Sequence, residues 1–350
     1  MRWTVVLAVV VPLALGVGFL VARVGGNQEL ARHCARAFRI VLALEVVALV
    51  IMAFLGLRYE RGARQQDAAK FHPPGKLVDL GGYRLHVYCT GAGGPTVILE
   101  HGHRATYLDW YRVQPEIAKF ARVCSYDRAG YGWSDPSPRN RTPSVMADEL
   151  HSALQAAGEK PPYVLVGHSF GAMDTIMFAH KFPDEVTGVV LVDGSTPESL
   201  HRASLRTRLW LRMMQLTMSV GLPRWRGWCG GEPPEIAGVK QALTCRSQNF
   251  GTILREDSCI PAATTEMRAI TSLGSVPVVV IARDPAKGNS QPEARHSEQQ
   301  HEIAKLSTNS RFVVAKGSGH DVPLVRPDVV VETVKSLLKP RAQAGSRGTP

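Results

Sequence analysis

Short apolar runs alternate with helical patterns from about residue 76 to residue 339. "KLVDLGGYRLHVYCTG" predicts two strands joined by a hairpin at Gly81-Gly82. Six further runs predict strands. The last four of them are "PYVLVGHS", "GVVLVDG", "VPVVVIAR" and "SRFVVAKG", and they are almost continuously apolar, as in strands buried on both faces of a parallel sheet. Residues 144–157 and 326–338 carry helical periodicity between or after them. The pattern predicts an α/β fold with a mostly parallel, eight-stranded sheet flanked by helices.

One long segment, about residues 196–272, interrupts this alternation. It contains "LWLRMMQLTMSVGLPRWRGWCGG" and is too long for a simple crossover between strands. We expect an inserted helical cap that covers a site. Its large apolar side chains either line an acyl pocket or form the core of the cap itself; they are Trp210, Met213, Met214, Met218, Trp225 and Trp228.

The first 64 residues are not globular in pattern. Residues 3–22 carry no charge and are long enough to cross a hydrocarbon layer of about 30 Å, and residues 40–57 form a second apolar run with one acid, Glu45. A signal peptide is the alternative for the first run. We expect a two-helix membrane hairpin in residues 1–64 and a tether in residues 65–75. Arginines flank both sides of the second run in similar number, so the charge distribution leaves the membrane orientation open.

The formal net charge of the 350 residues is +11. No stretch carries a nucleic-acid-binding signature, and many arginines adjoin apolar runs. We expect membrane lipid, and no nucleic acid, as a partner. The cap arginines either meet lipid headgroups or form a solvated face; they are Arg206, Arg208, Arg212, Arg224 and Arg226. The tail, residues 340–350, is predicted to be disordered.

Six cysteines occur, without a C-x-x-C pair. Cys89 and Cys124 fall in predicted strands and are expected to be buried thiols. Cys229, Cys245 and Cys259 lie together in the cap. A disulfide between two of them would indicate an oxidising compartment.

Ser169 lies in "YVLVGHSFGAMD", between a predicted buried strand and a predicted helix. G-x-S-x-G at such a junction is typical of a nucleophile elbow, in which a sharp turn exposes the serine hydroxyl. The same spacing alone also occurs in ordinary tight turns. Here the strand before Ser169 and the helix after it favour a nucleophile.

A serine nucleophile requires a histidine base, and the histidine requires an orienting acid. His320 follows a predicted strand on the glycine-rich loop "KGSGH" and is the candidate base. Asp284, after the strand "VPVVVIAR", is the preferred acid, and Asp193, after "GVVLV", is the alternative. The backbone amides of Phe170 and His103 are the candidate donors to an oxyanion.

These motifs together resemble the α/β-hydrolase superfamily, in the branch with a helical cap. The resemblance covers about residues 76–339 and depends on "EHGH", "YDRAGYGWSD", "GHSFGA" and "GSGH". The resemblance implies that the triad residues occur along the chain in the order Ser, Asp, His. Because the nucleophile position holds Ser169, the members of the superfamily that use an aspartate nucleophile are excluded. Asp284 lies slightly closer to its strand than the family pattern places the acid, which keeps Asp193 open.

The resemblance implies a serine hydrolase that cleaves carboxylic esters, and the apolar N-terminal runs add a membrane tether. The membrane location and the apolar cap favour a hydrophobic or lipid-like ester. This chemistry needs no metal and no cofactor. An acyltransferase that uses the same triad, and a non-catalytic membrane-anchored binding module, are the alternatives.

Overall fold

A central sheet of eight strands organises the fold. The computed structural model describes residues 17, 19–229, 233–287 and 291–339. The strands are β1 Lys76–Asp79, β2 Arg84–Thr90, β3 Thr96–Glu100, β4 Val123–Asp127, β5 Tyr163–His168, β6 Val186–Val192, β7 Val278–Arg283 and β8 Ser310–Ala315. Their order in the sheet is β1-β2-β4-β3-β5-β6-β7-β8. Strand β2 pairs antiparallel with both β1 and β4, and all other neighbouring strands are parallel. The predicted α/β class and mostly parallel eight-stranded sheet are confirmed.

Helices cover both faces of this sheet. They are α1 Gln28–Lys70, α2 Gln114–Ile117, α3 Pro143–Ala157, α4 Gly171–Lys181, α5 Leu205–Ser219, α6 Leu222–Trp225, α7 Ala237–Thr244, α8 Ser247–Arg268, α9 Gln291–Ala304, α10 Val322–Val325 and α11 Pro327–Leu338. Because side chains alternate along a strand, Ile98 and Leu165 pack against α3 and α4, while Val97 and Val164 pack against α2 and α11. The two apolar layers bury the parallel strands and hold their carboxyl ends at one edge.

The N-terminal region contains one long continuous helix, α1. The Asn27 side chain caps it by accepting from Leu30 N–H at 3.0 Å, just after the turn at Gly25-Gly26. Helix α1 therefore includes residues 28–39, which were expected to connect two spans, and residues 65–70, which were assigned to the tether. It is long and apolar enough to cross a membrane.

The first predicted span is only partly covered by the structure. Residues 19–24 are helical, whereas residues 3–16 and 18 lie outside the described residues, as does the tail 340–350. Two spans are therefore not shown, and the expected hairpin stays a prediction. The described N-terminal residues are compatible with a membrane anchor formed by α1.

Four helices, α5 to α8, form the insertion between β6 and β7. They lie within residues 196–272, where the cap was expected. Leu211, Met218, Phe250 and Ile253 are buried between them and pack on Tyr131 of the core domain. The cap therefore has an apolar core of its own and rests on the carboxyl edge of the sheet.

Two disulfides cross-link the α/β domain and its cap. Cys89 and Cys124 were expected to be free thiols, and that prediction is wrong: they stand opposite each other in the antiparallel pair β2–β4 and form a disulfide. The β2–β4 register explains the bond because it places the two side chains side by side. Cys229 and Cys245 form the second disulfide, within the cap, and Cys259 is free.

Candidate active site

Ser169 lies at a sharp turn between β5 and α4. Its φ is 53°, in the left-handed region that side chains rarely adopt, which costs about 1–3 kcal/mol that the surrounding packing must offset. A side chain at Gly171 would place Cβ 2.6 Å from the carbonyl oxygen of His101. The Ser169 amide donates to Val192 O at 3.0 Å, and its carbonyl accepts from Ser195 N–H at 2.9 Å. Small neighbours and these two hydrogen bonds hold the hydroxyl out of the sheet.

Ser169, His320 and Asp193 form a hydrogen-bonded chain. His320 Nε2 lies 3.0 Å from Ser169 Oγ, and His320 Nδ1 lies 2.6 Å from Asp193 Oδ2. A carboxylate accepts only, so Nδ1 carries the proton and Nε2 is the acceptor for the serine hydroxyl. The imidazole is thus in the tautomer that a general base needs.

The preferred acid, Asp284, is corrected to Asp193. Asp284 Oδ2 accepts from Gly317 N–H at 2.7 Å, and its Oδ1 accepts from Ala286 N–H at 3.0 Å. Both ring nitrogens of His320 are engaged by Asp193 and Ser169 instead. The reason is topological: β6, which Asp193 directly follows, lies beside β5 and Ser169, whereas β7 and Asp284 lie one strand farther away.

Asp193 is held by more donors than His320 alone. His296 Nε2 donates to its Oδ1 at 2.7 Å, and Arg283 donates through its amide at 3.1 Å and its guanidinium at 3.2 Å. Burial alone raises the pKa of Asp193, but the hydrogen bonds from His296 and His320 outweigh it and hold the pKa well below its ordinary value. Asp193 is therefore ionised and able to stabilise an imidazolium.

The loop after β3 approaches Ser169 closely. A Cβ on Gly102 would lie 3.3 Å from Ser169 Cβ. Among the described residues, neither His103 N–H nor Phe170 N–H donates to a backbone acceptor outside regular helices and strands. Both amides thus remain free for an acceptor that is not part of the chain.

Arg128 holds this loop from below. It is buried, and its guanidinium donates to His101 O at 2.6 Å, Gly102 O at 2.8 Å and Glu100 Oε1 at 2.5 Å. His101 Nε2 accepts from the Arg128 amide at 3.1 Å. Burial and the Arg128 charge lower the pKa of His101 to about 3, so its ring is neutral at physiological pH. The backbone that carries the candidate oxyanion amides is rigidly placed.

The cap contributes one buried acid to the same region. Glu256, on α8, lies 3.2 Å from His103 Nε2 and accepts from Tyr131 Oη at 2.6 Å. Burial alone raises the pKa of Glu256, but the hydrogen bond from His103 and the charge of Arg128 lower it to about 2. An ionised cap carboxylate therefore connects α8 to the loop beside Ser169.

A cavity of about 290 Å³ lies between the cap and the core domain. His103 and Phe170 line its floor, and Trp210, Leu211 and Ile253 line its cap side. Most of its remaining wall is also contributed by the cap. Its size and mixed lining suit a small organic ligand with an apolar part.

The six apolar cap residues divide between the two roles that were considered. Trp210 lines the 290 Å³ cavity, and Met218 and Trp228 line a neighbouring cavity of about 220 Å³. Met218 also belongs to the core of the cap, and Met214 packs against that core. Met213 is exposed, and Trp225 faces a separate groove.

Sequence reasoning missed His296, Arg283 and Arg128. His296 and Arg283 are distant from Asp193 along the chain, and no motif marks their meeting at its carboxylate. Arg128, in contrast, stands in "YDRAGYG", one of the segments that carry the family resemblance. The signal for Arg128 was present: a charged residue directly after a predicted buried strand requires buried partners.

Comparisons with known proteins agree with this architecture. Residues 97–333 match the alpha/beta hydrolase family. A Bacillus subtilis protein, YbdG, is 27% identical over 190 residues, which are 53% of this chain and 58% of YbdG, so the chain spans little more than half of that relative's length. A Gibberella zeae protein described as an AB hydrolase superfamily protein is 28% identical over 70% of this chain and 86% of its own.

Two solved structures show the same fold. An esterase from Thermogutta terrifontis is 21% identical, with a TM-score of 0.55, over 75% of this chain and 97% of the esterase. The epoxide hydrolase CorEH is 17% identical, with a TM-score of 0.55, over 75% of this chain and 96% of that enzyme. At these identities the likeness concerns the fold alone. Since the family match covers well over half of the sequence and the elbow, sheet and cap agree with it, the chain belongs to the alpha/beta hydrolase family.

Proposed function

We propose that this family member is a membrane-tethered serine hydrolase that cleaves carboxylic esters. The observation that carries the proposal is the chain of hydrogen bonds from Ser169 Oγ through His320 to Asp193, with bond lengths of 3.0 Å and 2.6 Å. A hydroxyl, a base in the correct tautomer and an ionised acid in this order are the parts required for acyl transfer through serine.

The reaction would proceed in two halves. Ser169 Oγ attacks the ester carbonyl carbon while His320 Nε2 accepts the hydroxyl proton, and the His103 and Phe170 amides donate to the resulting oxyanion. His320 then gives the proton to the leaving alcohol, which leaves an acyl group on Ser169. A water molecule, deprotonated by His320, then attacks that acyl group; the bond to Ser169 Oγ breaks, His320 returns the proton to Oγ, and the acid is released.

The cavity beneath the cap favours a hydrophobic ester. Phe170, Leu211 and Ile253 supply apolar surface, and Trp210 lies at the cap side. The two carboxylates at this cavity already have partners: Glu256 is paired with His103, and Asp257 Oδ1 accepts from Ala203 N–H at 2.6 Å. Beside the Arg104 and His201 side chains, which also line the cavity, apolar surface is therefore what remains for the substrate.

Membrane tethering is proposed from α1. The apolar side chains of residues 40–57 are largely exposed in the described structure, and 18 helical residues span about 27 Å, close to the thickness of a hydrocarbon layer. A lipid environment would cover this surface. Hydrophobic esters dissolved in a membrane would then be close to the catalytic domain.

Hydrolysis of esters with graded acyl-chain length tests the activity. The wild-type chain should hydrolyse them, and Ser169→Ala should lose several orders of magnitude in kcat, about 10⁶ in a serine protease with the same triad. Ser195→Ala, a matched change close to the site, should retain activity. Absence of wild-type hydrolysis, or equal rates in Ser169→Ala, would refute the proposal. Ester products formed from an added alcohol would instead identify an acyltransferase.

A further inference from the structure

An apolar groove of about 720 Å³ lies between α1 and the cap, apart from the candidate active site. One wall consists of residues from the last turns of the apolar part of α1, and the other belongs to the junction of α5 and α6. The lining residues are Leu49, Met52, Ala53, Leu55, Gly56, Tyr59, Val220, Gly221, Leu222 and Trp225. No catalytic group of the proposed hydrolase lies in this groove.

Two glycines set the width of the groove. A Cβ on Gly56 would lie 2.5 Å from Val220 O, and a Cβ on Gly221 would lie 2.8 Å from Tyr59 Cδ1. Gly221 also has a φ of 70°, which side chains rarely adopt. The close approach of helix and cap at this point therefore depends on both glycines and encloses the groove on one side.

A buried ion cluster closes the end of the groove that lies nearer the catalytic domain. Glu60 is buried and pairs with Arg64 at 2.9 Å and with Arg224 at 3.0 Å. Arg224 also pairs with Asp67 at 2.9 Å. Since breaking a buried ion pair is costly, the cluster clamps α6 against α1. The groove is thus a built feature and not a loose gap.

The surface around the groove is apolar and open. Leu49, Met52 and Leu55 on α1 and Trp225 on the cap are each about three-fifths exposed. Leu216 of α5 and Trp228 are exposed as well. An apolar surface of this extent marks a contact with a membrane or a partner.

The charges and aromatic groups indicate which of these it is. The apolar part of α1 ends at residue 57, and the ion cluster follows within one turn. The Arg226 guanidinium lies 5.4 Å from the centre of the Trp225 ring and 5.8 Å from that of Trp228. Tryptophan, tyrosine and arginine at the end of an apolar helix are typical of the boundary between hydrocarbon and headgroups. The groove therefore opens on the hydrocarbon side of this boundary.

We propose that the groove binds one acyl chain of a bilayer phospholipid, and that this lipid seats the cap on the membrane. The inference rests on the proposed membrane anchoring by α1. The bound chain covers the exposed apolar walls, while the headgroup lies level with Arg226 and the ion cluster. The cap is then held beside the lipid phase from which a hydrophobic ester enters.

A photoactivatable lipid tests this proposal. The full chain is reconstituted in vesicles of equal parts phosphatidylcholine and phosphatidylglycerol, doped with a phosphatidylcholine that carries a diazirine within one acyl chain. After illumination, peptide mapping should find lipid adducts on both walls, at Met52 of α1 and at Trp225 of the cap. Ala53→Phe, which fills the groove, should reduce the Trp225 adducts by about tenfold. Ala43→Phe, the same change on the opposite face of α1, should leave them unchanged.

Several results would overturn the proposal. Adducts confined to α1, with none on the cap, would mean that no lipid occupies the groove. Equal Trp225 labelling in wild type and Ala53→Phe, with an unchanged thermal unfolding midpoint, would mean the same. Trp225 adducts that disappear as the protein-to-lipid ratio is raised would assign the groove to a second copy of the chain. Ester hydrolysis is measured separately in the same vesicles. Its absence would refute the proposed serine hydrolase but would not affect the conclusion drawn from the lipid adducts.

Discussion

The backbone and the side chain of Asp193 are both fixed by their surroundings. It has a φ of 44° and follows β6 directly, and its carboxylate accepts from His320, His296 and Arg283. An unusual backbone conformation is maintained only where the surroundings over-determine it. In the proposed hydrolase, this carboxylate would orient the imidazole of His320 and compensate the charge that forms on it during catalysis.

Replacing each aspartate by asparagine separates their roles. Asp193→Asn should lower kcat by about 10⁴, as for the corresponding acid of a serine protease, because the amide no longer stabilises the required tautomer of His320. Asp284→Asn keeps one acceptor oxygen and weakens the support of one of the two amides of Gly317 and Ala286, worth about 1 kcal/mol, so the loss should be about tenfold or less. Steady-state kinetics on the ester hydrolysed fastest measures both. A larger loss for Asp284→Asn than for Asp193→Asn would contradict the assignment.

His168, next to the nucleophile, predicts a pH dependence of stability. Its Nε2 donates to His320 O at 2.9 Å, and burial, followed by the nearby His320, lowers the pKa of His168 to about 4. The unfolded chain protonates this histidine near pH 6.5. The contribution of the neutral His168 to the free energy of unfolding is therefore complete above pH 6.5. It is lost as the pH falls from 6.5 towards 4, by about 1.4 kcal/mol per pH unit.

His168→Gln removes the titrating group and retains an N–H donor. Its free energy of unfolding should fall less steeply between pH 6.5 and pH 4 than that of the wild type. Denaturant unfolding of the full chain in detergent, at a series of pH values, measures the difference. Parallel slopes for the two proteins would show that His168 is not held neutral.

The loop after β3 and the arginine beneath it act together as an element. Arg128 binds two successive carbonyls, of His101 and Gly102, in a planar fork that lysine cannot reproduce. The direction of the His103 amide follows from the direction of these carbonyls. Arg128 is thus a positioning residue, because it acts through the backbone and not on the substrate.

Arg128→Lys should therefore lower kcat more than it raises KM. We expect a loss of about 10–100-fold in kcat, somewhat less than deletion of one oxyanion donor, with KM changed less than threefold, about 0.65 kcal/mol. Kinetics together with a thermal unfolding scan measures this. A rise in KM at constant kcat would place Arg128 in substrate binding instead.

Some elements of the fold could be predicted from the sequence, and others could not. The strands and the elbow were predictable because their apolar runs and glycines occur in the order that the fold needs. The triad acid was not, since Asp193 and Asp284 both follow buried parallel strands, and only the order of strands in space separates them. The length of α1 was not predicted, because the expected span was bounded by the arginines that flank the apolar run. The helix itself extends beyond those arginines and begins just after Gly25-Gly26 and the capping residue Asn27.

At the scale of the whole molecule, the two disulfides bear on orientation. One joins β2 to β4 and the other lies in the cap, and both belong to the catalytic domain. Disulfides persist in oxidising compartments and are rare in the cytosol. We therefore predict that α1 holds the catalytic domain on the oxidising side of the membrane, which the charges of the sequence left open.

Thiol alkylation in intact cells tests this orientation. A membrane-impermeant maleimide should modify Cys259, which is free and partly exposed, without prior reduction. Cys89, Cys124, Cys229 and Cys245 should react only after reduction and unfolding. Protection of Cys259 in intact cells, together with modification of all cysteines after lysis without a reductant, would place the domain on the reducing side.

A fluorophosphonate probe on the full chain in detergent tests directly whether Ser169 is an activated nucleophile. Such probes phosphonylate a serine that a histidine deprotonates, and they leave ordinary serines unmodified. We expect one adduct by intact mass, located at Ser169 by peptide mapping, lost in Ser169→Ala and retained in Ser195→Ala. An unlabelled wild-type protein, or a label that persists in Ser169→Ala, would contradict this expectation.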